Sequence, residues 1–166
     1  MADEILRVAR PEDHAAVSDL LSRSYSILMA HAYPVDLLAL ALPIITKASP
    51  ALLASGRYAV IETGDRRLAG CGGWSRERPG SGEVTPGLAH IRHFAIDPAW
   101  FRRGLGRRLY DWCEETARKE GMKAFECHSS LNAESFYRAL GFTRVGTLSI
   151  DFGSCALPAI VMTRKI

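Results

Sequence analysis

The chain predicts a mixed α/β fold in one domain spanning residues 1–166: a sheet with both parallel and antiparallel strand pairs, covered by helices. Three observations carry this expectation. Helix and strand periodicities alternate along 166 residues, hairpin signals interrupt the alternation, and no repeat or linker divides the chain. A 48% hydrophobic and 23% charged composition suits one buried core of ordinary size.

Residues 5–10 alternate apolar and polar and predict a first strand. Pro11-Glu12-Asp13 then opens a helix, placing proline and acids where the first turn has free N–H groups and a positive dipole end. Ala16, Val17, Leu20, Leu21 and Ser24 follow at helical spacing, and Tyr33-Pro34 ends the pattern. A second apolar helix runs from Val35 to about Lys47, and Leu52 and Leu53 lead to a turn at Ser55-Gly56. Residues 58–63 and 67–75 form a hairpin across Gly64-Asp65. The 77–87 stretch, rich in proline and glycine, is a surface loop.

Leu88–Ile96 predicts a strand ending at Asp97-Pro98. A helix follows from Gly104-Leu105-Gly106 to Gly121, with an apolar stripe of Leu105, Leu109, Trp112, Cys113 and Ala117. Residues 122–128 form another strand, and Asn132 starts a short helix that ends at Gly141. Residues 142–150 and 156–164 close the fold as an antiparallel pair.

Composition narrows the function. Twenty-one basic against 18 acidic residues leave a net charge of +3, too slight for a nucleic-acid-coating surface. Arg102, Arg103, Arg107 and Arg108 cluster at a glycine-rich helix start without interleaved aromatics, so nucleic acid is not the expected partner. Cys71, Cys113, Cys127 and Cys155 lie far apart with no CxxC pair, which fits reduced thiols and no metal site. The start Met1-Ala2-Asp3-Glu4 is acidic with no leader-like apolar stretch behind it. The longest uncharged runs, 24–35 and 37–46, fall short of the roughly 20 residues of a membrane span. A cytoplasmic protein without a membrane partner is expected.

The chemistry sits in residues 91–142. Arg102-Arg103-Gly104-Leu105-Gly106-Arg107 lies between a strand and a helix. Its glycines let backbone approach a ligand, the helix start offers unpaired N–H groups, and the arginines add charged donors. That combination suits a pyrophosphate. A Walker loop would need Gly-Lys-Ser/Thr, and a Rossmann fingerprint would need a small residue where Leu109 stands, so neither nucleotide reading holds.

At these residues the sequence resembles the GNAT superfamily of acyl-CoA-dependent N-acetyltransferases. Ile96-Asp97-Pro98 followed by Arg102-Arg103-Gly104-Leu105-Gly106-Arg107-Arg108-Leu109 resembles its motif A, and Asn132-Ala133-Glu134-Ser135-Phe136-Tyr137-Arg138-Ala139-Leu140-Gly141-Phe142 resembles its second cofactor segment. The resemblance implies a mostly antiparallel sheet of about six to seven strands with flanking helices and a central parallel pair. It implies acetyl-CoA as co-substrate, a primary amine as acceptor, no metal, and a homodimer as an allowed assembly. The backbone of Phe94, Ala95 and Ile96 would pair with the pantetheine arm. Arg102, Arg103, Gly104, Leu105, Gly106 and Arg107 would hold the pyrophosphate, with Asn132 and Ser135 in the second segment. Asn132 has an equal claim as a plain helix cap. One departure stands out: the family places Gln or Arg three residues before the first glycine, and this chain has Phe101.

Acetyl transfer requires an amine freed of its proton, donors for the oxyanion and a proton for the departing thiolate. Tyr137 matches the family's tyrosine acid, and a phenol with pKa ~10 can protonate a thiolate whose conjugate acid has pKa about 8.5. His90 is the expected base. In the serotonin N-acetyltransferase branch a histidine stands at the matching point, while the second histidine of that branch is Arg92 here. His93, Glu62, Glu126, His128 and a water chain compete for the role. Cys127 is not expected to act as a nucleophile, because direct attack needs no thiol. The acceptor site would come from the first two helices, the 77–87 loop and the last hairpin, with Tyr25, Tyr33, Trp74 and Asp36 as lining candidates. The alternative is a non-catalytic CoA-binding sensor on the same fold.

Overall fold

The computed structural model describes residues 3–166, so Met1 and Ala2 of the acidic start lie outside it. Seven strands form one sheet: β1 (Ile5–Val8), β2 (Tyr58–Glu62), β3 (Leu68–Ser75), β4 (Leu88–Ile96), β5 (Ala124–Ser130), β6 (Thr143–Asp151) and β7 (Ala156–Lys165). Their order across the sheet is β1-β2-β3-β4-β5-β7-β6. Every neighbouring pair is antiparallel except the central β4–β5 pair, which is parallel. The mixed sheet expected from the sequence is therefore present.

Five helices cover it: α1 (His14–Leu28), α2 (Val35–Ile45), α3 (Pro50–Ala54), α4 (Leu105–Lys119) and α5 (Glu134–Ala139). The hairpin strands β2 and β3 are buried on both faces, so their side chains feed two cores alternately. Tyr58 and Val60 pack with Val17, Leu20 and Leu21 of α1 and with Leu52 and Leu53 of α3. Ala59 and Ile61 pack with Leu105 and Leu109 of α4. A third core joins α4 to β5, β7 and α5 through Tyr110, Phe125, Tyr137, Phe142 and Met162.

Several boundaries differ from the sequence reading for local reasons. The helix opened by Pro11 begins as one 3-10 turn, and its α-helical part starts at His14. The segment at Leu52-Leu53 is a full helix: the Ser49 hydroxyl caps it and Pro50 sits in its first turn. Strand β5 begins two residues late, because Met122 is still hydrogen-bonded to Ala117 at the end of α4. Asn132 does not cap α5. It lies within a 3-10 turn, Ala133 holds the N-cap position, and no side chain bonds the helix start.

The β4–β5 pairing decides where the site lies. The two strands are in register only at Leu88–Ala124, Ala89–Phe125 and His90–Glu126. Beyond His90, β4 continues along β3 while β5 continues along β7. The sheet splits there into a wedge, leaving the far edge of β4 without a ladder partner.

Candidate active site

A left-handed residue starts the wedge. His93 has φ of 48°, and the β3–β4 register slips between Cys71 and Gly73. Gly72 makes the bulge feasible, since a Cβ there would stand 2.6 Å from the Phe94 ring. The His93 carbonyl accepts from the Tyr58 hydroxyl at 2.7 Å, and the Phe94 carbonyl accepts from the Tyr25 hydroxyl at 3.0 Å. Past the bulge, the Asp97 N–H donates to the Ala69 carbonyl on β3. Strand alternation then turns the Ile96 amide toward the wedge.

The wedge holds two adjacent cavities. One, of roughly 440 Å³, runs along Phe94, Ala95 and Ile96 to the loop before α4 and is closed by α5. The other, of roughly 700 Å³, lies between α1, α2, the 77–87 loop and the β6–β7 hairpin. Leu28, Phe94, Asn132, Ala133 and Tyr137 line both, so they mark where the two adjoin.

At the far end of the first cavity, Arg102 and Gly104 both have positive φ (62° and 75°), the alternation that turns successive N–H groups inward. Among the described residues, the amides of Arg102 through Arg107 donate to no acceptor. Six free donors at the start of a fifteen-residue helix form an anion cradle. Gly106 lets α5 close over it, because a Cβ there would lie 2.6 Å from the Phe136 ring. Phe101 lines the same cavity, so the residue at the usual Gln/Arg position contributes apolar surface rather than a donor.

Asn132 lies at this junction with its Oδ1 buried and unpartnered. A buried acceptor left unmade is costly, and Asn132 shares the lining of the first cavity with Phe94, Ala95 and Ile96 of β4. Tyr137 is also buried there, and desolvation, with the Cys127 thiol nearby, pushes its phenol well above its ordinary value. Burial likewise raises the Cys127 thiol, the opposite of what a nucleophilic cysteine needs.

Not every expected residue reaches the cavities. Arg103 stacks on Trp100 at 4.6 Å instead of lining the loop, and Ser135 faces neither cavity. Trp74 is a core residue whose indole donates to the Thr116 hydroxyl. The Tyr33 hydroxyl is engaged with the Pro158 carbonyl and the Leu131 amide. Asp36 stands on the exposed side of α2, away from both cavities. Of the four acceptor-site candidates, only Tyr25 faces the second cavity. His90 is buried outside both cavities with both ring nitrogens unpartnered, and desolvation lowers its pKa. Two histidines line the second cavity, His93 and His128, and the His128 Nε2 lies 2.9 Å from Glu126 Oε1. The same carboxylate oxygen lies 3.7 Å from His90 Nδ1. Sequence spacing named these three residues separately; their clustering follows from the β4–β5 register that sets His90 beside Glu126. Leu28 and Trp100 were not foreseen at all, since nothing marks an apolar helix end or loop tryptophan as cavity wall.

The geometry has close relatives. A GCN5-related N-acetyltransferase structure from Rhodopseudomonas palustris superposes with a TM-score of 0.78 at 18% identity, covering 98% of this chain and 96% of that one. PaiA N-acetyltransferase from Thermoplasma acidophilum, solved with coenzyme A, gives 0.73 at 15% identity over 99% of both chains. An acetyltransferase-named protein of Bacillus subtilis (strain 168) is 28% identical over 75 residues, 45% of this chain and 49% of that protein. The chain thus spans about half the length of the curated relative it matches. A family model for the GNAT acetyltransferase domain matches residues 45–160, from the end of α2 into β7, and so contains the bulged strand, the amide cradle and the Asn132–Tyr137 segment. The chain belongs to the GNAT acetyltransferase family.

Proposed function

We propose that this chain is an N-acetyltransferase that moves an acetyl group from acetyl-CoA to a primary amine, by direct attack when both are bound. The observation that carries the reading is that the two cavities adjoin at shared walls, with Asn132 and Tyr137 lining both. One chamber ends in free amides suited to a pyrophosphate, the other is open to an acceptor, and an acid stands between them.

Acetyl-CoA supplies an acetyl group activated as a thioester. The amides of the 102–107 loop hold its phosphates, with Arg102 and Arg107 on the cavity wall adding charge. The free edge of Phe94–Ile96 orients an extended arm as an added strand would, and the Asn132 carboxamide gains the partner it lacks. Tyr137 keeps its proton at neutral pH and delivers it to the leaving sulfur. Proton removal from the acceptor falls first to His128, which faces the acceptor chamber, with Glu126 holding its ring. His90 acts behind them through Glu126, because its burial bars direct contact with an amine.

The test has two stages. Calorimetry with acetyl-CoA alone is expected to show one-to-one binding, and a panel of amines is then screened by release of free thiol. Binding followed by turnover of an amine supports the reading. Binding without turnover of any amine moves the chain to the non-catalytic CoA-binding alternative, and absence of binding removes both.

A further inference from the structure

Arg92 is the one lysine or arginine lining the acceptor chamber, and among the described residues it forms no ion pair. It follows His90 on β4 and lines the second cavity. Its one hydrogen bond runs from Nη1 to the Ser75 hydroxyl at 3.0 Å, and that hydroxyl donates onward to the Glu77 carbonyl. This anchor uses one of the five N–H donors of a guanidinium. Among the described residues no carboxylate forms an ion pair with Arg92.

The nearby ionisable groups do not fill that gap. Glu77 acts on Arg92 through space without pairing. Glu126 is engaged by His128, with Arg78 and His90 close by. Asp151, on the hairpin wall, accepts from the Gly153 amide in its own turn. Burial lowers the His93 pKa to about 4, so it stays neutral at pH 7. A half-buried guanidinium, fixed at one corner and facing a cavity, calls for an anion. The outer wall of that chamber is largely apolar, with Ile44, Ile45, Leu148, Ile150 and Phe152 beside Ser149 and Asp151.

We propose that the acceptor is an apolar amino acid, its carboxylate held by the Arg92 guanidinium, its side chain against the α2 and hairpin wall, and its amine directed to Tyr137. This rests on the acetyltransferase reading and adds the substrate class.

The test is calorimetric titration of the CoA-saturated protein with leucine, methionine and phenylalanine, each beside the amine of the same skeleton lacking the carboxylate. At least one amino acid is expected to bind about tenfold or more tightly than its amine. Arg92→Gln is expected to erase the difference and Arg92→Lys to retain part of it, with CoA affinity unchanged in both. Equal binding within every pair, binding of neither member of any pair, or a preference that survives Arg92→Gln overturns the proposal. Should Arg92→Gln fail to fold by circular dichroism, the wild-type pairs and Arg92→Lys still decide. Failure of the wild type to bind CoA strikes the function reading instead, and the same titrations on the free protein then decide the anion site.

Discussion

At the scale of single residues, the site is marked by groups that fold at a cost. Asn132 buries an acceptor with nothing to accept from. Asn132→Ala is therefore expected to leave thermal stability unchanged or slightly higher, while acetyl-CoA affinity falls about tenfold, the weight of one hydrogen bond of ~1–1.5 kcal/mol. Differential scanning fluorimetry and calorimetry on one preparation separate the two effects. Tyr137→Phe is expected to lower kcat by roughly 10²–10³-fold with acetyl-CoA binding intact. Burial raises the pKa of this phenol, so its protonated form persists to high pH. In wild type, kcat is thus expected to show no alkaline decline up to about pH 10, where an ordinary tyrosine would have half ionised. Asp13 is the structural counterpart. The Arg7 fork holds it at 2.9 Å on both oxygens, and that bonding lowers its pKa. A carboxylate with a depressed folded pKa stabilises above its unfolded value near ~3.9 and loses that contribution as pH falls through the folded value. Asp13→Asn is expected to cost about 1–3 kcal/mol at pH 7. Its deficit in melting temperature should narrow toward pH 3.

At the scale of elements, legibility followed how local the cause was. Strand β4 was readable at its full length because alternation and Asp97-Pro98 bound it in the sequence itself. The start of α4 was equally readable, since glycines and arginines announce an amide cradle. The bulge at His93 was not, because it depends on Gly72 of the neighbouring strand making room for Phe94. The burial of His90 outside both cavities was hidden for a related reason. Its position along β4 is visible in the sequence, but which face is sealed depends on β5 and Glu126. Distance along a strand cannot separate a side chain that lines a cavity from one that is sealed. Helix packing carries its own prediction: Gly106→Ala drives a methyl into the Phe136 ring, which also lines the cofactor chamber. Acetyl-CoA affinity is expected to fall about tenfold by calorimetry, and Gly106→Ala with Phe136→Leu to recover part of it.

At the scale of the whole molecule, strand–helix alternation, hairpin signals and a closing pair announced a mixed sheet, and the seven-stranded sheet agrees with them, while its strand order was not legible. The acceptor chamber was less legible because it is assembled from seven separate parts of the chain: α1, α2, the 77–87 loop, β4, β5, the Asn132–Tyr137 segment and the last hairpin. The aromatic candidates looked equally eligible, yet Trp74 of β3 and Tyr33 went to structural work, while Tyr25 and Arg92 line the cavity.

The three-residue contact between β4 and β5 also governs how solvent reaches the backbone. Along the second half of β4, neighbouring amides face opposite surroundings, with Asp97 tied to Ala69 and Ile96 turned to the open wedge. Deuterium should therefore enter in an alternating, residue-by-residue pattern, slow at Asp97 and fast at Ile96. A bound acyl carrier would slow the fast class and leave the slow class as it was. The backbone itself thus becomes a reporter of occupancy, readable without any turnover and independent of the acceptor.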